Sequence, residues 1–203
     1  MNTEEKILSK ALEMFNERGI EYVGLREIAS TLDMRVSNIT YYFPTKDYLV
    51  NQLAKDLNRL NSELLAHDKD VTVYSFLEMM KKIFRNQLRY RCMLLSIVHL
   101  MEQNKEMSAR HKKTQKDRNE IFRVKIMALA KTGYLNINNQ KEAKFLASAI
   151  TLIARFWISE ATISFRQLNS EKQISYYLSL IANLLLPYSS AKAKNQIQLF
   201  FKK

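Results

Sequence analysis

The stretch that decides the fold is Leu25-Arg-Glu-Ile-Ala-Ser-Thr-Leu-Asp-Met-Arg-Val-Ser-Asn-Ile-Thr-Tyr-Tyr-Phe-Pro-Thr-Lys-Asp-Tyr-Leu49. It contains two short helical segments, Leu25 to Leu32 and about Val36 to Tyr42, separated by only Asp33-Met34-Arg35. Two helices meeting at so sharp a turn need a small residue where they cross, a turn residue that tolerates positive φ, and a shared apolar inner face. Ala29 is the small residue and Asp33, four positions on, is of a type that tolerates the left-handed conformation. Ile28, Leu32, Met34 and Ile39 supply the expected inner face, which leaves Arg35, Val36, Ser37, Asn38, Thr40 and Tyr41 pointing outward. Short hydrogen-bonding groups, an arginine and an aromatic on one exposed helix suit the edges of bases in a major groove, with flanking groups on phosphates.

The surrounding sequence extends this unit in both directions. Ile7, Leu8, Ala11, Leu12 and Phe15 fall on one face of a helix predicted over Glu4 to Arg18, with Thr3 as its cap and Gly19 as its stop. After Pro44, Thr45 is placed to cap a longer connector helix from Lys46 to about Leu65. Further helices are predicted near 71–89, 92–103, 106–131, 141–168 and 171–186, with capping-box spacing at Asn139/Glu142 and Ser170/Gln173 and a stop at Gly133. The tail from Ser189 onward reads either as frayed or as a short docked helix.

Composition agrees with helices throughout. Three glycines and two prolines in 203 residues leave few of the residues that hairpins and strand crossovers need. A single cysteine, Cys92, excludes an internal disulfide, and with three scattered histidines it provides no metal-ligand set. Glu4, Glu5 and Lys6 stand where a secretory signal would begin its apolar run, so the expected compartment is the reducing cytoplasm. Ala143 to Phe165 is the most apolar stretch, but Lys144, Arg155 and Glu160 interrupt it, and it is expected to be a buried helix with no membrane involved.

The formal charge of +12 does not locate a nucleic-acid surface. Residues 1–60 carry a net −1 and residues 61–80 a net −3, whereas residues 81–131 carry +10 and residues 132–203 carry +6. The basic excess at 81–131, with Arg85, Arg89, Arg91, Lys112, Lys113, Lys116 and Arg118, reads either as a solvated face or as a site that attracts an anionic effector or flanks DNA.

At this point the sequence resembles the TetR family of transcriptional regulators. The likeness lies in the Ile28-Ala29 pair of the second helix, the Tyr41-Tyr42-Phe43 cluster closing the third, and the Pro44-Thr45-Lys46 step into Asp47 and Leu49, over roughly residues 4–52. Asp33 stands where the family usually has Gly, and Ser37 and Thr40 replace a common Gly and Tyr. The resemblance implies an all-α chain: residues 1–48 a three-helix DNA-binding domain, joined by the connector helix to a ligand-binding and dimerisation domain over 49–203. It further implies that Arg35, Val36, Ser37 and Tyr41 face bases, that Tyr42, Lys46 and Arg26 reach phosphates, and that Asn38 and Thr40 stand between the two roles.

The same resemblance implies a homodimer on a palindromic double-stranded operator and a small-molecule effector of unknown identity. Two apolar stripes are the expected packing faces: Leu146, Ala149, Ile150, Ile153, Phe156 and Trp157, and Ile174, Tyr177, Leu178, Ile181, Leu184 and Leu185. Weak candidates for an effector cavity are Tyr90, His99 and Trp157, with Met80, Met93, Met101 and Phe156 near them in pattern. Control by a protein partner in place of a small molecule is the alternative. An enzyme is the more distant one, since no Glu-x-x-His pair, His-Glu-x-x-His, phosphate loop or nucleophile elbow is present, and no cofactor is expected.

Overall fold

Eleven α-helices account for about four-fifths of residues 2–66 and 71–202, the part of the chain that the computed structural model describes. They are α1 (Thr3–Arg18), α2 (Leu25–Thr31), α3 (Val36–Tyr42), α4 (Lys46–Ala66), α5 (Val73–Arg89), α6 (Arg91–Leu95), α7 (Ile97–Gln103), α8 (Lys105–Lys131), α9 (Gln140–Ser164), α10 (Ser170–Leu185) and α11 (Ala191–Phe201). Among the described residues there is no strand, only an isolated bridge between Leu135 and Ser189.

The helix ends show which local signals the chain obeys. α1 is capped by Asn2, not Thr3: the Asn2 side chain accepts from Glu5 N while the Glu5 carboxylate accepts from Asn2 N. The reason is spacing, because three residues after Thr3 stands Lys6, which has no acceptor to return to the cap. Asn139 caps α9 as expected, accepting from Lys141 N and Glu142 N. α10 is capped by Asn169, not Ser170, and Gln173 instead donates to the carbonyls of Phe165 and Leu168, closing the preceding loop. Gly19 (φ 95°) and Gly133 (φ 74°) stop α1 and α8 in conformations that L side chains seldom adopt.

The chain divides into two compact units, residues 1–60 with 89–109 and residues 61–88 with 110–203. In the first, Ile7, Ala11, Phe15, Ile28, Ile39, Phe43, Leu49 and Leu53 are buried. In the second, the Trp157 ring stacks on Phe84 at 4.8 Å and tilts against Tyr177 at 5.5 Å. Gln87 ties this cluster down, accepting from the Trp157 indole N–H at 2.7 Å and donating to the Ala154 carbonyl at 2.9 Å, so the indole and the Gln87 amide are paired, whereas the buried Tyr177 hydroxyl is not. The tail is a docked helix: Gln196 of α11 accepts from Tyr74 N and donates to the Tyr134 hydroxyl, and Phe200 packs edge-on to Tyr74.

α9 does not bury the stripe expected of it. Leu146, Ile150 and Trp157 are buried, but Phe156 is exposed and Ala149 and Ile153 are half-buried. The inward face is completed by Ala143, Ala147, Ala154, Ile158 and Ala161. A second apolar row, Phe145, Leu152, Phe156 and Ile163, lies on the outside. On α10 the expected residues are buried except Leu184, which is half-buried. By length and composition α9 could cross a membrane, and 44% of its apolar window is buried within the protein.

Candidate nucleic-acid interface

The turn between α2 and α3 is built as its sequence requires. Asp33 has φ 52°, the left-handed conformation, and the chain reverses through hydrogen bonds from Asp33 N to Ser30 O and from Met34 N to Ala29 O. Ile28, Ala29, Ile39 and Phe43 are buried at 1% exposure or less and fix the rotation of α3 about its axis. Leu32 and Met34 are only half-buried, so the inner face is narrower than expected.

With Ile39 and Phe43 inward, Ser37 and Tyr41 are exposed on the opposite face and Asn38 on the flank, while Arg35 and Val36 are exposed at the N-terminal end of α3. Tyr41 is 81% exposed and meets Tyr42 edge-on at 5.0 Å, with Tyr42 half-buried behind it. Thr40 is half-buried and its hydroxyl donates back to Ser37 O, so its hydrogen-bonding capacity is turned partly to its own helix. Arg26 is exposed on α2. Lys46 opens α4, where Thr45 caps the first turn by accepting from Tyr48 N, and its ammonium donates to the Glu21 carbonyl at 3.3 Å.

Sequence reasoning missed three features of this unit. Tyr22 and Tyr48 are exposed aromatics near Lys46 in sequence or through the Glu21 loop. The Glu21 carboxylate reaches α6–α7: burial acts to raise its pKa, but the Ser96 hydroxyl donated to it, with the charges of His99 and Lys46, holds it below the ordinary carboxylate value. Asn16 is the third. Its amide donates to Arg89 O at 2.8 Å and accepts from Cys92 N at 3.0 Å, joining α1 to the corner between α5 and α6. No local pattern marks a contact over more than seventy residues of chain.

Tyr90 is buried and His99 exposed, both in the first unit, whereas Trp157 is buried in the aromatic cluster of the second. The second unit holds a partly open cavity of about 520 Å³, lined by Leu64, Tyr74, Phe76, Met79 and Lys125 among others. Of the basic residues at 81–131, Lys112, Lys113 and Lys116 are exposed, and Arg85 is in an ion pair with Glu171 at 3.0 Å. Among the described residues no cluster of His, Cys, Asp or Glu could hold a metal ion.

A three-helix unit that presents an exposed, polar-aromatic helix beyond a tight left-handed turn defines a helix-turn-helix DNA-binding protein. The comparisons specify it. A family model described as bacterial regulatory proteins, tetR family, matches residues 7–53, and one described as bacterial transcriptional repressor matches residues 55–197. The chain belongs to the TetR family of bacterial transcriptional regulators.

Among curated proteins, "Probable HTH-type transcriptional regulator YttP" of Bacillus subtilis (strain 168) is 36% identical over 56 residues, 28% of this chain and 27% of that protein. The match therefore spans about a quarter of that relative's length. Among solved structures, a TetR-family transcriptional regulator from Marinobacter aquaeolei VT8 has a TM-score of 0.91 at 17% identity, over 100% of this chain and 98% of the other. The SmeT–triclosan complex has a TM-score of 0.68 at 14% identity, over 95% and 94% of the two chains. At these identities the structures establish a common fold.

Proposed function

We propose that this protein is a ligand-responsive repressor that occupies a palindromic operator as a homodimer in the cytoplasm, with α3 in the major groove. The observation that carries this reading is the fixed rotation of α3: full burial of Ile39 and near-full burial of Phe43 commit Ser37, Asn38 and Tyr41 to the outside, and Arg35 and Val36 are exposed at the leading end of the helix. In this reading Arg35, Val36, Ser37 and Tyr41 face bases. Tyr42, Lys46 and Arg26 hold phosphates, and Asn38 and Thr40 serve either role. The Glu21 carbonyl restrains Lys46 near the start of α4, which limits the rotamer freedom lost on binding a phosphate.

Dimerisation is assigned to the outer row of α9. Phe145, Leu152, Phe156 and Ile163 leave an apolar strip on a helix whose opposite face is already buried, and a two-fold partner presenting the same strip would cover it. The dimer then offers two copies of α3 to half-sites about one helical turn apart. The small-molecule reading is supported by the SmeT–triclosan complex, whose fold this chain shares, and by a cavity volume within the range of about 300–1,000 Å³ usual for small-ligand sites. An effector that binds the form with the wrong half-site spacing more tightly would release DNA by shifting the population.

The test separates base from phosphate contacts on an operator recovered from a random pool. Arg35→Ala should weaken operator binding by about 1–3 kcal/mol and relax preference at one position of each half-site. Lys46→Ala should weaken binding to all sequences alike and lower the salt slope by about 1 for each half-site. If both variants behave identically on specific and random DNA, the assignment of α3 fails.

A further inference from the structure

The inward face of α8 changes character along its length. Phe122, Ile126 and Leu129 are buried at 3% exposure or less, and the same face, extended toward the helix N-terminus at the 3.6-residue period, carries Arg118 and His111. Both are half-buried. A helix of the second unit thus turns an arginine and a histidine to the side on which its neighbours form core.

α9 brings a third. Arg123 donates to Gln140, and Glu120 feels the charge of Lys144, so α8 and α9 run antiparallel with these residues side by side. Following the pair for about 20 Å, at 1.5 Å per residue, sets Arg155 beside His111. The electrostatics agree: burial first, then the charges of Arg155 and Arg118, hold the His111 imidazole below its ordinary pKa, and burial lowers Arg155 as well.

Arg155 and His111 have no counter-charge. The Arg155 guanidinium lies over the Phe156 ring at 5.8 Å, and among the described residues neither group makes an ion pair or a hydrogen bond. A half-buried arginine with no counter-charge bears a desolvation cost, the charge of Arg118 adds to it, and an anion seated beside Arg155 and the neutral His111 imidazole offsets it.

We propose that the seam between α8 and α9 recognises the head group of the effector, and that the effector is a small organic anion with an apolar body. Arg155 and His111 take its carboxylate, sulfonate or phosphate beside Arg118, and the apolar body follows the α8 face toward Phe122 and Ile126. This deepens the ligand-responsive reading and rests on it. The exposed Lys112, Lys113 and Lys116 form a solvated face, and the half-burial of the seam favours a small anion over a DNA backbone.

Anilinonaphthalene sulfonate and the uncharged N-phenylnaphthylamine, which differ in the sulfonate, test this by fluorescence titration of the full-length protein without DNA. The wild type should bind the sulfonate saturably. Arg155→Gln should weaken it at least about tenfold while changing the uncharged probe less than about twofold. Arg155→Lys, which keeps the charge, should lose less than Arg155→Gln, and Lys112→Gln should change nothing. Equal losses for both probes, an unchanged Arg155→Gln, or no saturable site in the wild type would each overturn the proposal. Should Arg155→Gln unfold by circular dichroism, His111→Gln decides: unchanged sulfonate binding overturns the proposal and a selective loss supports it. Because no DNA is present, a selective sulfonate site in a protein that binds no operator would sink the repressor reading alone.

Discussion

Replacing Asn16 by alanine removes a joint that has no substitute in the first unit. The Asn16 amide accepts from Cys92 N at 3.0 Å, in the first turn of α6, where a backbone N–H has no partner within its own helix. Tyr90, the residue before α6, provides no side-chain cap, so Asn16 does that work from α1. Losing such a cap costs about 0.5–2 kcal/mol. Losing the second bond, to Arg89 O at 2.8 Å, costs about 1 kcal/mol more. Asn16→Ala should therefore destabilise the α5–α6 corner by roughly 1.5–3 kcal/mol, which raises the hydrogen-exchange rate of the Cys92 amide by about tenfold or more. Asn16→Asp keeps the acceptor for Cys92 N but sets a carboxylate oxygen against Arg89 O, and it should protect the Cys92 amide more than alanine does. Exchange by mass spectrometry over the peptide spanning α6, at one protein concentration, reads both. A Cys92 amide that exchanges at the wild-type rate in Asn16→Ala would refute the reasoning.

Leu152→Glu combined with Phe156→Glu places two carboxylates in the outer row of α9 and should convert a micromolar dimer to monomer in sedimentation velocity, with helix content unchanged; a persistent dimer would move the interface elsewhere. Burial pushes the Cys92 thiol up to about 12, so at pH 8 it should react with Ellman's reagent at least about a hundredfold more slowly in the native protein than in denaturant. Rapid native labelling would mean that the α6 corner opens readily.

The parts of the fold that were legible in the sequence are those fixed by neighbours in the chain. Ala29, Asp33, Ile39 and Phe43 lie within one tight turn and its two helices, and their backbone conformation and burial follow from their spacing. The break at Ser96, which splits the expected helix over 92–103 into α6 and α7, was not legible. Ser96 has φ −93° and ψ 11°, and its hydroxyl is given to Glu21, a residue from a distant loop. The row of Phe145, Leu152, Phe156 and Ile163 escaped for a different reason: α9 is apolar around most of its circumference, and periodicity alone does not say which side faces the core. Arg118 and His111 were likewise indistinguishable from Lys112, Lys113 and Lys116 until the rotation of α8 was known.

Specific DNA recognition through α3 is the central property of this protein's proposed function. Selection of binding sites from a random double-stranded pool by the full-length protein measures it most directly. The expected outcome is one enriched, two-fold symmetric site whose half-sites lie about one helical turn apart, or a small multiple of it, with Arg35→Ala losing information at matching positions in both halves. A pool that yields no site above random, or a site whose preference is unchanged by every substitution on the outer face of α3, would contradict it.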